Sequence, residues 1–373
     1  MTDQLTRRQM LGVAGGALLA GSLAGASTAR PEPPQTAGDP RARARATAMT
    51  TFTKSLWAHL PNTMPTRADV APVLDKWAEA GFTLLLLYVK DGQGRVAYRD
   101  SSHPIQPIAE DWDPLETIAE EARRRGMRVH PWTAVFVGAE SDLARRHPGL
   151  IGRNRAGDPR GGFLCTGQDA VHDWAFSYYE ELMERYDVAG VHMDYIRYNG
   201  NFCWCDHCRG LFRRETGVEM EDAEPGGAAW ARWVTGRVHH VNRFVRRLSD
   251  AADGAGMEVS AAVLTDYPAV VARIGQDWLT WSRERWVDFM MPMNYWSDEK
   301  RFWGYAERHK AGIDGEVPLL EGVAKFWSQE RFDVSPEHIY NRTAALKERG
   351  YQGVVYFSAG RLTDEDLALI GRI

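Results

Sequence analysis

The stretch Val188–Cys208, VAGVHMDYIRYNGNFCWCDHC, places a carboxylate and a cluster of thiols directly behind a short apolar run. Val188 to Met193 follows a helical stretch and has the character of a parallel strand covered on both faces. Alternate strand residues share a face, so His192 and Asp194 point one way while Val191, Met193 and Tyr195 point the other. A carboxylate at the C-terminal end of a parallel strand, ahead of a polar and aromatic loop, sits where α/β barrels keep their chemistry. Asp194 is therefore the first candidate for a catalytic residue, against the plainer alternative of an Asp that caps the following turn.

The elements that must position it alternate from Phe52 onward. Candidate strands are Ser55–Leu60, Thr83–Val89, Arg128–Phe136, Val188–Met193, Glu258–Leu264, Val287–Met291, Pro318–Val323 and Gly353–Phe357. Candidate helices are Arg67–Ala80, Pro114–Arg125, Val171–Tyr186, Ala228–Ala252, Ala269–Glu284, Lys300–Ala311, Pro336–Arg349 and Asp364–Arg372. Thr66 with Asp69, Asp113-Pro114 with Glu116, and Ser335-Pro336 are helix start signals. Eight βα units predict a single α/β domain, a TIM (β/α)8 barrel spanning 51–373. An open doubly wound sheet is the alternative, but no Gly-rich phosphate or dinucleotide loop follows an early strand.

Ahead of the barrel, Thr6-Arg7-Arg8-Gln9-Met10-Leu11 and the apolar run to Leu23 read as a twin-arginine signal ending near Ala26. The run is short for a membrane span, so residues 1–26 are expected to direct export to the periplasm or beyond. Residues 27–50, rich in Pro, Ala and Arg, read as a disordered linker. A formal charge of −5 with scattered arginines offers no basic footprint for nucleic acid.

Three blocks carry a family resemblance: Tyr186–Tyr198 (YDVAGVHMDYIRY), Gly275-Gln276-Asp277-Trp278 through Asp288–Tyr295 (DFMMPMNY), and Gly350–Ser358 (GYQGVVYFS). They resemble bacterial family-10-like glycosyl hydrolases, barrel proteins of the glycoside-hydrolase type. The resemblance implies an O-glycosidase, with Asp194 matching the family's strand-four acid and a poly- or oligosaccharide as substrate. Such chemistry needs two carboxyl groups across the scissile bond. Glu321 and Asp266, after the seventh and fifth candidate strands, are the available partners. Apolar neighbours favour a protonated Glu321, which suggests Glu321 as acid/base and Asp194 as nucleophile; the reverse assignment stays open. Asp266 is then a third carboxylate in the site or the true acid. Trp57, His59, Tyr88, His130, Trp132, His192, Tyr195, Arg197, Asn294, Tyr295, Trp327 and Tyr356 sit near strand ends and supply ring faces and hydrogen-bonding groups for a sugar.

The four cysteines, Cys165, Cys203, Cys205 and Cys208, admit two readings. Disulfides are the default for an exported protein. A C-x-C-x-x-C run plus one upstream Cys also suits a closed tetrahedral zinc site of structural rather than catalytic use, and resembles the zinc cluster of family 42 β-galactosidases. Of the rival functions, an amidohydrolase would want paired histidines after the first strand, where Trp57-Ala58-His59 offers one. A non-catalytic glycan-binding barrel, its acids bonding only hydroxyls, stays open.

Overall fold

The computed structural model describes residues 51–200, 203–327 and 332–373; the expected export signal and linker lie outside them, as does the side chain of Trp327. Eight parallel strands form the sheet: β1 Thr53–His59, β2 Leu84–Lys90, β3 Arg128–Ala134, β4 Gly190–Asp194, β5 Glu258–Val263, β6 Phe289–Pro292, β7 Leu320–Ala324 and β8 Gly353–Phe357. Each pairs in parallel with its sequence neighbour from β1 to β6, β1 also pairs with β8, and β8 with β7. A parallel bridge between Met290 and Leu319 joins β6 to β7 and closes the barrel. The (β/α)8 barrel expected from the alternating pattern is the fold observed.

Strand alternation sorts the side chains into two cores. Trp57, Leu84, Leu86, Trp132, Phe289 and Met291 fill the barrel interior. Val191, Met193, Val259, Val323 and Val354 face the helix layer, where they bury apolar area at about 25 cal/mol per Å². That layer contains α1 Arg67–Glu79, α2 Pro114–Arg124, α3 Asp169–Arg185, α4 Ala228–Ala255, α5 Trp278–Arg283, α6 Glu299–Ile313, α7 Pro336–Glu348 and α8 Asp364–Ile370. The start signals act as expected: Thr66 and Asp69 form a capping box, and Asp113 and Ser335 accept from the backbone N–H groups of Glu116 and His338.

Two departures have local causes. The helix expected over Ala269–Glu284 is two, Ala269–Ile274 and Trp278–Arg283, because Gly275 turns the chain at φ +72°, a conformation that ends a helix. An unexpected helix, Asp206–Thr216, follows the cysteine run and buries Cys208 and Phe212, four residues apart on one face. No helix among the described residues is long and apolar enough to cross a membrane.

Candidate active site

A cavity of about 610 Å³ opens at the C-terminal end of the barrel. It is lined by His59, Tyr88, Trp132, Asp194 and Phe357 from β1, β2, β3, β4 and β8, by Leu264, Thr265 and Asp266 after β5, and by Met293, Tyr295 and Trp296 after β6. Parity and position at the strand end bring Asp194 here, since it is the last residue of β4 and points inward. Tyr195 then reverses the chain at φ +52°, a left-handed conformation costly for a bulky residue, on the order of 1–3 kcal/mol. The turn brings the Tyr195 N–H back onto Asp194 Oδ1 at 2.6 Å.

The Asp194 carboxyl is 5% exposed, and burial raises its pKa. The Arg197 guanidinium, the Tyr195 N–H and the Trp132 indole N–H pull the other way and offset the rise only in part. The protonated form is thus favoured relative to a carboxylate in water, the condition a general acid needs. Around it the walls are aromatic. Trp132 packs against His59 at 4.8 Å and Tyr88 at 4.7 Å between ring centroids, and Tyr295 stacks on Phe357 at 5.1 Å. Burial pushes the phenols of Tyr88 and Tyr295 up and the imidazole of His59 down, so the phenols keep their protons and His59 is neutral at pH 7.

Asp194, Asp266, His59, Tyr88, Trp132, Tyr195, Arg197 and Tyr295 therefore meet in one cavity, as their place after strands suggested. Glu321 does not, which corrects the expectation of a cleft shared with Asp194. It is the second residue of β7, not its last, and faces outward to the helix layer with no exposure. Its carboxylate accepts from Asn294 Nδ2 at 2.7 Å and lies 3.0 Å from Nδ1 of His309 on α6, whose Nε2 donates to the Thr265 carbonyl at 3.0 Å. Asn294, directed to that same outward group, and Tyr356, bonded to Thr343 at 2.8 Å in the helix layer, also leave the site.

Three further candidates lie on the correct face but too deep. Trp57 Nε1 donates to His192 Nε2 at 3.1 Å, His192 Nδ1 meets Ser260 Oγ at 2.8 Å, and Ser260 meets His130 Nδ1 at 2.9 Å. His130 Nε2 then reaches Glu258 at 3.0 Å, and Glu258 accepts from Arg128 at 2.8 Å. Because Trp57 can only donate, His192 accepts at Nε2 and carries its proton on Nδ1, and the bonds run in the same sense as far as Glu258, which accepts from His130 on one side and Arg128 on the other. The chain satisfies these side chains inside the barrel beneath the cavity floor, leaving none to grip a ligand.

The sequence reading missed Arg273, Arg301 and Tyr305, which line the cavity from helices and not from strands. Arg301 lies in the first turn of α6, its guanidinium 3.1 Å from the Trp296 ring centroid. A helix start directly after a strand end faces the barrel mouth, so residues of that turn were the available signal.

The four cysteine sulfurs converge, all within 4.8 Å of one another and all buried. Cys165 lies 3.4 Å from Cys208 and 3.6 Å from Cys205, too long for a disulfide near 2.05 Å and close to the roughly 3.8 Å edge of a tetrahedron built on Zn–S bonds of about 2.3 Å. The backbone N–H groups of Arg153 and Cys205 point at Cys203 Sγ, at 3.2 and 3.4 Å, as they would toward a thiolate ligand. Four sulfurs at these separations, one of them already facing two backbone N–H groups, fit one tetrahedral metal ion.

Comparison with known proteins places this geometry among glycoside-hydrolase barrels. The glycoside hydrolase domain of PgaB (BpsB) from Bordetella bronchiseptica superposes with a TM-score of 0.69 at 14% identity, over 85% of this chain and 95% of that one. A β-galactosidase from Rahnella sp. R3 gives 0.63 at 13% identity, covering 86% of this chain and 55% of its own. In sequence, the glycosyl hydrolase YngK of Bacillus subtilis (strain 168) is 22% identical over 267 residues, 63% of this chain. The chain spans under half of that relative, 46% of its length. Residues 94–318, including Asp194, Asp266 and all four cysteines, match glycosyl hydrolase-like 10, and the chain belongs to that family.

Proposed function

We propose that this protein is an exported glycoside hydrolase that cleaves O-glycosidic bonds of a poly- or oligosaccharide in the cavity above the barrel. The observation that carries the reading is Asp194, a buried carboxyl whose proton burial favours, at a strand end within an aromatic-walled cavity. This supports Asp194 as the general acid that protonates the leaving oxygen, the reverse of its assignment as nucleophile. Asp266, half-buried on the loop after the neighbouring strand β5, is then the carboxylate that attacks or activates water. Tyr88, Trp132 and Tyr295 provide ring faces against which the apolar face of a sugar packs. Export rests on the Arg7-Arg8 motif and its apolar run.

One zinc ion held by Cys165, Cys203, Cys205 and Cys208 belongs to the same reading. Four thiolates close its coordination and leave no position for a reactive water, so its contribution is structural.

One observation favours a second reading, a barrel that binds glycan without cleaving it: the expected partner Glu321 points away from the cavity. Asp194→Asn compared with the parent protein separates the two. A general acid variant loses turnover of natural glycans but keeps it on aryl glycosides whose leaving group needs no proton. A binding barrel turns over neither, and both proteins bind glycan alike.

A further inference from the structure

The cavity carries three guanidinium groups, Arg197, Arg273 and Arg301, against two carboxylates. Arg197 makes no side-chain hydrogen bond among the described residues, and its Nη1 is fully shielded from solvent without a partner. It rests on the Tyr195 ring at 4.5 Å and near that of Phe163 at 5.8 Å, contacts that hold the plane and leave its N–H groups unused. A shielded guanidinium nitrogen without a hydrogen-bond acceptor is costly, and the fork of donors that carries it suits the paired oxygens of a carboxylate or sulfate. Asp194 lies near enough to attract the guanidinium, but its Oδ1 is engaged by the Tyr195 N–H and no hydrogen bond joins its carboxyl group to Arg197. Arg273, exposed at the rim, adds like charge beside Arg197.

We propose that the cavity recognises an acidic sugar unit, a uronate or sulfated ring, with Arg197 as the fork that takes the anionic group and Arg273 as its partner at the rim. This rests on the carbohydrate reading of the site and narrows it to a substrate class. Neutral sugars would leave Arg197 unpaired, and glucosamine-type cationic sugars would meet three like charges.

The test is calorimetric titration of the purified protein with four oligosaccharide series: oligouronates, sulfated oligosaccharides, neutral gluco-oligosaccharides and glucosamine oligomers. The expected result is binding of at least one acidic series, weakening toward about 1 M salt, where the screening length falls to roughly 3 Å. Arg197→Gln and Arg273→Gln should each reduce that binding by about tenfold or more, given the strength of charge-assisted hydrogen bonds. Arg273 is exposed and makes no side-chain hydrogen bond among the described residues, so Arg273→Gln should keep the parental melting temperature and leaves the test standing if Arg197→Gln folds poorly. The uronate and sulfate arms tell which anion is read. The proposal is overturned if neutral or cationic series bind as tightly, if neither acidic series binds, or if both substitutions leave acidic binding unchanged. Asp194-dependent cleavage of a neutral glycan would overturn the acidic-sugar proposal and leave the hydrolase standing. Arginine-dependent acidic binding with no turnover would do the opposite.

Discussion

Replacing Glu321 by Ala tests whether this carboxylate is an anchor or an acid. It has no exposure, accepts from Asn294 at 2.7 Å, and contacts His309 Nδ1 at 3.0 and 3.1 Å. Because His309 Nε2 already donates to the Thr265 carbonyl, Nδ1 and the carboxyl group share one proton between them. Alanine would leave Nδ1 of that ring and one N–H of the Asn294 amide, whose Nδ2 also donates to the Phe302 carbonyl, without a partner in a buried layer. Removing one member of a buried, hydrogen-bonded pair costs about 3–5 kcal/mol. At about 2 °C per kcal/mol for a chain of this size, the melting temperature should fall by roughly 6–10 °C. Thermal and urea melts of Glu321→Ala beside the parent protein measure it. Thr265 lines the cavity next to Asp266, so turnover should fall modestly through a displaced β5 loop. A melting temperature within about 2 °C of the parent, with turnover lost by the 10²–10⁴-fold typical of a missing acid or base, would refute this account and return Glu321 to the chemistry.

Four further outcomes are expected. Burial raises the folded-state pKa of Asp194 above its unfolded value, so its favourable contribution is complete below about pH 4 and lost as pH rises through the folded value. Asp194→Asn should therefore melt with the parent at low pH and above it near neutrality, and the opposite order in a pH series of melts would contradict the buried-acid assignment. Elemental analysis of protein purified without added metal should find about one zinc per chain; no zinc together with no free thiols would favour disulfides. Cys205→Ser should lower both melting temperature and turnover, and full activity well below its melting point would mean that the cluster only staples the fold. Gly190→Ala should destabilise strongly, because its Cβ would lie 2.3 Å from the Glu258 carbonyl and 2.7 Å from the His130 ring, whereas Gly254→Ala on α4 meets nothing within 4 Å and should gain about 0.5–1 kcal/mol in urea unfolding.

The strands were legible because each is a short apolar run between helical patterns, and Asp194 was legible because it ends such a run on the inward face. Depth and register were not. His130 and His192 have the right parity, but a barrel interior is layered, and alternation does not say which layer reaches solvent. Glu321 was misjudged at the boundary: with β7 starting at Leu320, the inward set is Leu320, Gly322 and Ala324, and Glu321 shares the outward face with Val323. One residue of register exchanges the two faces. Arg273 and Arg301 come from helices, whose reach over the barrel mouth depends on loop conformation that periodicity does not encode.

The cysteines and the cavity, adjacent in sequence, are also joined mechanically. Asp194 is fixed on one side by the β4 ladder, while the loop beyond it runs to Cys203 and the sulfur cluster. Cys165 enters that cluster from another segment, directly after the strand Pro159–Leu164, which contains Phe163. Phe163 is the ring on which this loop leans, 5.8 Å from Tyr195 between centroids and 5.8 Å from the Arg197 guanidinium. Once a metal joins the four sulfurs, as proposed, the cluster would hold both sides of one contact, Phe163 through Cys165 and the loop through Cys203, Cys205 and Cys208. Tyr195 needs such support, since its left-handed backbone persists only where the surroundings impose it. Releasing the cluster frees the ring and the loop together, and a displacement of about 1 Å at a reacting group can cost on the order of a hundredfold in rate. On the proposed reading, a closed metal site with no open coordination position would in this way govern a reaction in which it takes no chemical part.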